Sequence, residues 1–171
     1  MPAIYKKIAS VTVGAGGISS IDLTDIPQGY TDILLDLSLR DGTQAAVMLN
    51  CRFKLNGSTT FNTTNRWLRG SGSAATSGSG TDISVLYPGT SATASTFGNT
   101  YVYFPNYANT TINKSFSVDC VTENNATEAY TWLAAGLYSS TSAISRINIF
   151  PDTSNVFAQY STATLYGISK S

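Results

Sequence analysis

At 171 residues the chain is the size of one domain, and 42% hydrophobic residues suffice for one substantial core. Only 12% of residues are charged, against about 25% in an average soluble domain, and 10 basic residues cancel 10 acidic ones. A neutral chain offers no long-range field for DNA, RNA or an anionic membrane, and the absence of histidine removes the commonest general base and metal ligand.

Residues 4–13 open the chain with Ile4, Ile8, Val11 and Val13 set around Lys6 and Lys7, and Gly14-Ala-Gly-Gly follows as a break. The segment reads either as an ordinary first strand or as an arm, residues 1–17, that reaches a neighbouring subunit. No apolar run follows the lysines as it would in a secretory leader, and no stretch approaches the ~18 apolar residues of a membrane span. Folding in a cytoplasm is the expectation.

From there period-two patterning predicts strands over 18–23, 32–40, 47–55, 65–69, 83–87, 97–104, 114–122, 131–138, 145–150 and 158–168. Over 32–40 the residues Ile33, Leu35, Leu37 and Leu39 make one dry face. Over 47–55 the residues Val47, Leu49, Cys51, Phe53 and Leu55 do the same, with Met48, Asn50, Arg52 and Lys54 turned outward. Cys120 shares its parity with Phe116 and Val118, so both cysteines are expected inward, as free thiols of a reducing compartment. Pro27-Gln-Gly, Asp41-Gly, Asn56-Gly and Pro151-Asp mark turns. No helical period occurs. The 70–80 segment, G-S-G-S-A-A-T-S-G-S-G, and the 89–96 segment read as low-complexity loops projecting from the domain, either functional or merely exposed. The rhythm predicts an all-β antiparallel β-sandwich spanning 18–171, most simply a jelly roll of two four-stranded sheets, with an immunoglobulin-like sandwich as the other option.

Five segments then fall in order: I-P-Q-G-Y-T-D-I-L-L (26–35), F-K-L-N-G (53–57), N-Y-A-N-T-T (106–111), F-S-V-D-C-V-T-E-N-N-A-T (116–127) and N-V-F-A-Q-Y-S-T-A-T-L-Y-G-I (155–168). This series resembles a widespread group of small virion structural proteins of tailed bacteriophages, whose members commonly end in a strand like A-T-L-Y-G-I. The resemblance spans residues 22–168. It implies a virion location and a structural role. One form of that role is a capsid decoration or cement protein, a homo-oligomer of three copies, that bridges subunits of the major capsid protein. The other is a tail-associated or receptor-binding module that contacts host polysaccharide.

Chemistry has little to work with. Ser-His-Asp and Cys-His arrangements are impossible, no phosphate-binding glycine motif occurs, and two cysteines on separate strands make no structural zinc site. Asp119, Glu123 and Glu128 are the only acids placed suggestively for glycoside cleavage, and Asp22, Asp25, Asp32 and Asp36 cluster without a calcium loop around them. The expectation is a protein that is not an enzyme and holds no cofactor or metal. The candidate contact residues are Ile4, Tyr5, Lys6, Lys7 and Ile8 at the N-terminus, and Arg66, Trp67 and Arg69, since Tyr, Trp and Arg are enriched where subunits meet. Trp132, followed by Leu133 and Ala134, is expected in the core.

Overall fold

The computed structural model describes residues 4–124 and 128–169. Residues 1–3 of the N-terminal segment, and Asn125 to Thr127 of the turn expected there, lie outside it. All regular elements among the described residues are strands: β1 (Ile4–Thr12), β2 (Ile21–Leu23), β3 (Asp32–Leu39), β4 (Met48–Leu55), β5 (Thr63–Gly70), β6 (Ala75–Gly80), β7 (Ile83–Pro88), β8 (Gly98–Pro105), β9 (Lys114–Glu123), β10 (Ala129–Tyr138), β11 (Ile147–Pro151) and β12 (Thr162–Ser169).

They form two wholly antiparallel sheets. The large sheet has the order β1-β12-β3-β8-β9-β10-β5-β6 and the small one β2-β11-β4-β7. The sheets are therefore eight and four strands, not the four and four expected of a simple jelly roll. The excess has identifiable sources. The meander β8-β9-β10 stays within the large sheet and sets β9 and β10 between β8 and β5, while β12 and β1 lie beyond β3 at one edge; the hairpin β5-β6 also stays within this sheet, at its other edge. At every other connection the chain crosses to the opposite sheet.

The expected alternation is what buries the core. In β3 the side chains of Ile33, Leu35 and Leu37 are fully buried, as are Cys51 of β4, Ile83 and Val85 of β7, and Ile147 and Ile149 of β11. Each large aliphatic so buried contributes about 1.5–3 kcal/mol. One cluster joins the inner faces of both sheets, which makes the pair a sandwich around a single core. Trp132 belongs to that cluster, and both Cys51 and Cys120 are buried free thiols, raised above their ordinary value chiefly by burial. The closing strand β12 lies between β1 and β3, with Ala163 and Leu165 fully buried, so the two ends of the chain are joined in one ladder.

The expected 70–80 loop is a correction. Only residues 71–74 turn; Ala75–Gly80 pairs along its length with β5, from Gly70↔Ala75 to Asn65↔Gly80. A strand of Ala, Thr, Ser and Gly shows no alternation because it sits at a sheet edge with little to bury. Its glycine has a specific use: the Trp67 indole lies over Gly78, where any Cβ would collide with the ring. The 89–97 segment does loop, but it does not project freely. Arg40 donates to the carbonyls of Ala92, Thr93 and Thr96 at 3.1, 2.9 and 2.9 Å and holds it down.

Candidate interaction surface

Parts of three of the segments, 26–35, 106–111 and 155–168, come together at one end of the sandwich, and the contacts there are structural. The Tyr30 ring lies flat on Gly167, so the glycine of A-T-L-Y-G-I is the seat for the tyrosine of P-Q-G-Y. The Tyr107 hydroxyl donates to the Pro27 carbonyl, and Gln28 Nε2 donates to the carbonyls of Ile26 and Ile144 at 2.6 and 3.1 Å. Asp32 accepts from the Tyr103 hydroxyl at 2.6 Å and from the Asn106 amide at 2.9 Å. Burial first, and then this bond to Asp32, push the Tyr103 phenol up to about 12. Nearby, Lys114 is buried, and its ammonium donates to the carbonyls of Ile112, Ser140 and Thr141 at 3.0, 3.4 and 2.6 Å. Burial lowers its pKa.

The acids weighed for chemistry are dispersed. Asp22 pairs with Arg146 at 2.5 Å, which holds its carboxyl below the ordinary value, and Asp32 is engaged as above. Asp119 points outward from β9 between Tyr101 and Leu133, and Glu123 and Glu128 are exposed at the end of the β9–β10 hairpin. Among the described residues no three His, Cys, Asp or Glu side chains approach closely enough to hold a metal ion, and no helix is long and apolar enough to cross a membrane.

The expected contact residues divide into two sites. Ile4 and Tyr5 are 61% and 59% exposed at the start of β1, Lys6 and Lys7 are exposed beside them, and Ile8 packs partly against the core at a bulge between Lys7 and Ala9. Arg66, Trp67 and Arg69 lie on β5, six strand spacings across the sheet, or about 29 Å at ~4.8 Å per strand. Within β5, parity separates them. Trp67 and Arg69 turn to the inner side, where Trp67 stacks on Trp132 with centroids 4.5 Å apart and the Arg69 guanidinium sits 5.0 Å from the Tyr130 ring. Arg66 turns outward.

Around Arg66 lies the feature that the sequence-based reading missed. The outer face of β9, β10 and β5 carries Leu68, Leu133, Leu137 and Val121 at 51%, 47%, 37% and 41% exposure. Leu133 stands directly opposite Leu68 in the ladder, Ala135 opposite Arg66, and Tyr101, 41% exposed, continues the surface onto β8. Two open depressions of about 460 and 440 Å3 run along this strip, both floored by Ala135 and edged by Arg66. Apolar side chains beside an arginine are the kind of composition found in protein contacts, and here Asp119 adds an acid to the same face, opposite Leu133. The signal was in T-W-L-A-A-G-L-Y (131–138): Leu133 and Leu137 repeat on the opposite parity from Trp132, Ala134 and Tyr138, so β10 is apolar on both faces while only one can enter the core.

No protein-family model, curated protein or solved structure matches this chain.

Proposed function

We propose that this chain is a structural protein of a tailed-bacteriophage virion, one that decorates the capsid and stabilises it by bridging shell subunits without catalysing a reaction. The observation that carries this reading is the group of exposed apolar side chains Leu68, Leu133, Leu137 and Val121 on the outer face of the large sheet, with Arg66 and Asp119 beside them and no covering element among the described residues. The resemblance of residues 22–168 to small virion proteins supplies the particle. The crossing of the chain between sheets supports reading the sandwich as an enlarged jelly roll: β2-β11-β4-β7 faces a sheet that holds β3, β8, β5 and β6, with β9 and β10 inserted between β8 and β5 and with β12 and β1 added beyond β3. The partner is the major capsid protein, and each copy adds a modest interface that multiplies over the shell against the pressure of packaged DNA. The tail-module reading has the 70–80 segment and exposed tyrosines contact polysaccharide; Ala75–Gly80 is a paired strand and not a projecting loop, while Tyr5, Tyr101 and Tyr160 are exposed.

The test is the number of copies per purified particle, measured by quantitative mass spectrometry against the major capsid protein. Hundreds of copies are expected; six to a few dozen would move the protein to the tail and overturn the reading. In parallel, Leu68→Thr combined with Leu133→Lys is expected to leave the melting temperature within a few degrees, because both side chains are about half exposed and the lysine faces Asp119, and to abolish rebinding to stripped particles. Undiminished rebinding would show that the strip is not the contact.

A further inference from the structure

The two edges of the large sheet are built differently. β1 ends the sheet with Lys6 and Lys7 and with a bulge between Lys7 and Ala9, both devices that block pairing with another strand. β6 ends it with Ala75-Thr-Ser-Gly-Ser-Gly80, which carries no charge, no proline and no bulge, and pairs in unbroken register with β5 on one side only. Among the described residues nothing hydrogen-bonds to its other side. Such an edge is a template for a further strand.

We infer that β6 pairs antiparallel with β6 of a second copy of this chain, joining two eight-stranded sheets into one. The charges select which edge can meet its own copy. Two copies meeting at β1 would set Lys6 and Lys7 against the same lysines, whereas β6 meets β6 with no charge on either strand and with side chains no larger than threonine. The contact is isologous, so it closes at two copies and leaves no open β6 edge to propagate. It also has a geometric consequence. Strands paired antiparallel about a two-fold axis keep their faces, so the axis stands normal to the sheet and the outer faces of both copies point the same way. Leu68 lies opposite Ser77 on the strand next to β6, so the pair presents both apolar strips on one side as a doubled surface. That doubling would serve a bridging role through bivalent attachment, but the pairing itself does not depend on what the strips bind.

The experiment is light scattering of the purified full-length chain over a range of concentrations, with hydrogen exchange at both ends of that range. A mass of twice 18.1 kDa at high concentration is expected, with amides of residues 75–80 gaining protection as the pair forms while those of β1 do not. Ser77→Lys places a like charge at the middle of β6 in both copies, opposite Leu68 within its own chain, and should weaken self-association by at least about tenfold without changing the melting temperature. Ser77→Thr with Ser79→Thr leaves the edge backbone intact and should keep the dimer. A single-chain or three-chain mass throughout, a dimer indifferent to the lysines, loss of the dimer in the threonine variant, or protection appearing on β1 would each overturn the inference. None of these results alters the expected copy number per particle, so the two proposals fail separately.

Discussion

At the scale of single residues, the fold spends aromatic rings on glycines and cations on carbonyls. Gly167 has no room for a side chain because Tyr30 occupies the space, whereas a Cβ at Gly29 would meet nothing. Gly167→Val is therefore expected to cost about 1–3 kcal/mol through displacement of the ring, and Gly29→Ala to change stability by less than about 0.5 kcal/mol. Urea denaturation of the two variants checks the contrast; equal midpoints would refute the seating of Tyr30 on β12. Lys114 presents the opposite problem. Its ammonium is buried among three carbonyl oxygens, so Lys114→Met keeps the apolar stem but strands the acceptors, and a loss of about 2–4 kcal/mol is expected. If the methionine variant unfolds at the wild-type denaturant concentration, the amine is dispensable to the fold.

At the scale of elements, the edge strand β1 has a structural duty to its own chain. It covers β12, whose A-T-L-Y-G-I segment combines β-branched, aromatic and aliphatic residues with no charge. Without β1 that strand becomes an unguarded edge of the kind that drives aggregation. Deleting residues 1–12 is expected to lower the melting temperature by at least about 6 °C, equivalent to roughly 2–3 kcal/mol in a chain of this size, and to send much of the protein to the pellet. A truncated chain that stays monodisperse at the wild-type melting temperature would instead make residues 1–17 an arm with no role in its own sheet. The same elements show what sequence could and could not reveal. Strands such as β3 and β9 were legible because one face is wholly dry, giving Ile33-Leu35-Leu37-Leu39 and Phe116-Val118-Cys120 at alternate positions. β6 was not legible because an edge strand of small residues buries almost nothing and so leaves no period. Trp67 was located on a strand, but its neighbours Arg66 and Arg69 concealed that parity sends the indole inward onto Trp132. The apolar strip was half written in β10 alone; its other half, Leu68 and Val121, came into line only through the register of three strands.

At the scale of the whole molecule, the pattern of titrating groups sets a distinctive response to pH. The chain has no histidine, so the side chain that most often makes stability depend on pH near neutrality is missing. On the acid side two perturbed groups oppose each other. Asp22 is lowered by its hydrogen bond to Arg146, so its contribution is present above the ordinary carboxyl value of 3.8 and lost as pH falls through its folded value; the pair is exposed, and this amounts to less than about 1 kcal/mol. Asp36 is raised by burial, so its protonation favours the folded state and returns some stability over the same descent. On the alkaline side the balance is one-sided. Tyr87, Tyr103, Tyr107 and Tyr130 are all raised, chiefly by burial, and Tyr103 reaches about 12. A phenol that holds its proton longer in the folded state than in the unfolded one favours folding less and less as pH climbs from about 10 toward its folded value. Lys114 runs the other way, since its lowered pKa adds stability as pH rises toward 10.5, but it is one group against four phenols and the two buried thiols, which are raised in the same sense. The expected profile is a urea midpoint that is level from about pH 5 to 9 and falls between 10 and 12, with Tyr103→Phe making that alkaline limb shallower. Phenolate absorbance should rise together with unfolding, not ahead of it. A midpoint that stays constant from pH 9 to 12, or free ionisation of most tyrosines while the protein remains folded, would mean that the phenols are not held in the sandwich as Asp32, Asp41 and Pro27 hold Tyr103, Tyr87 and Tyr107.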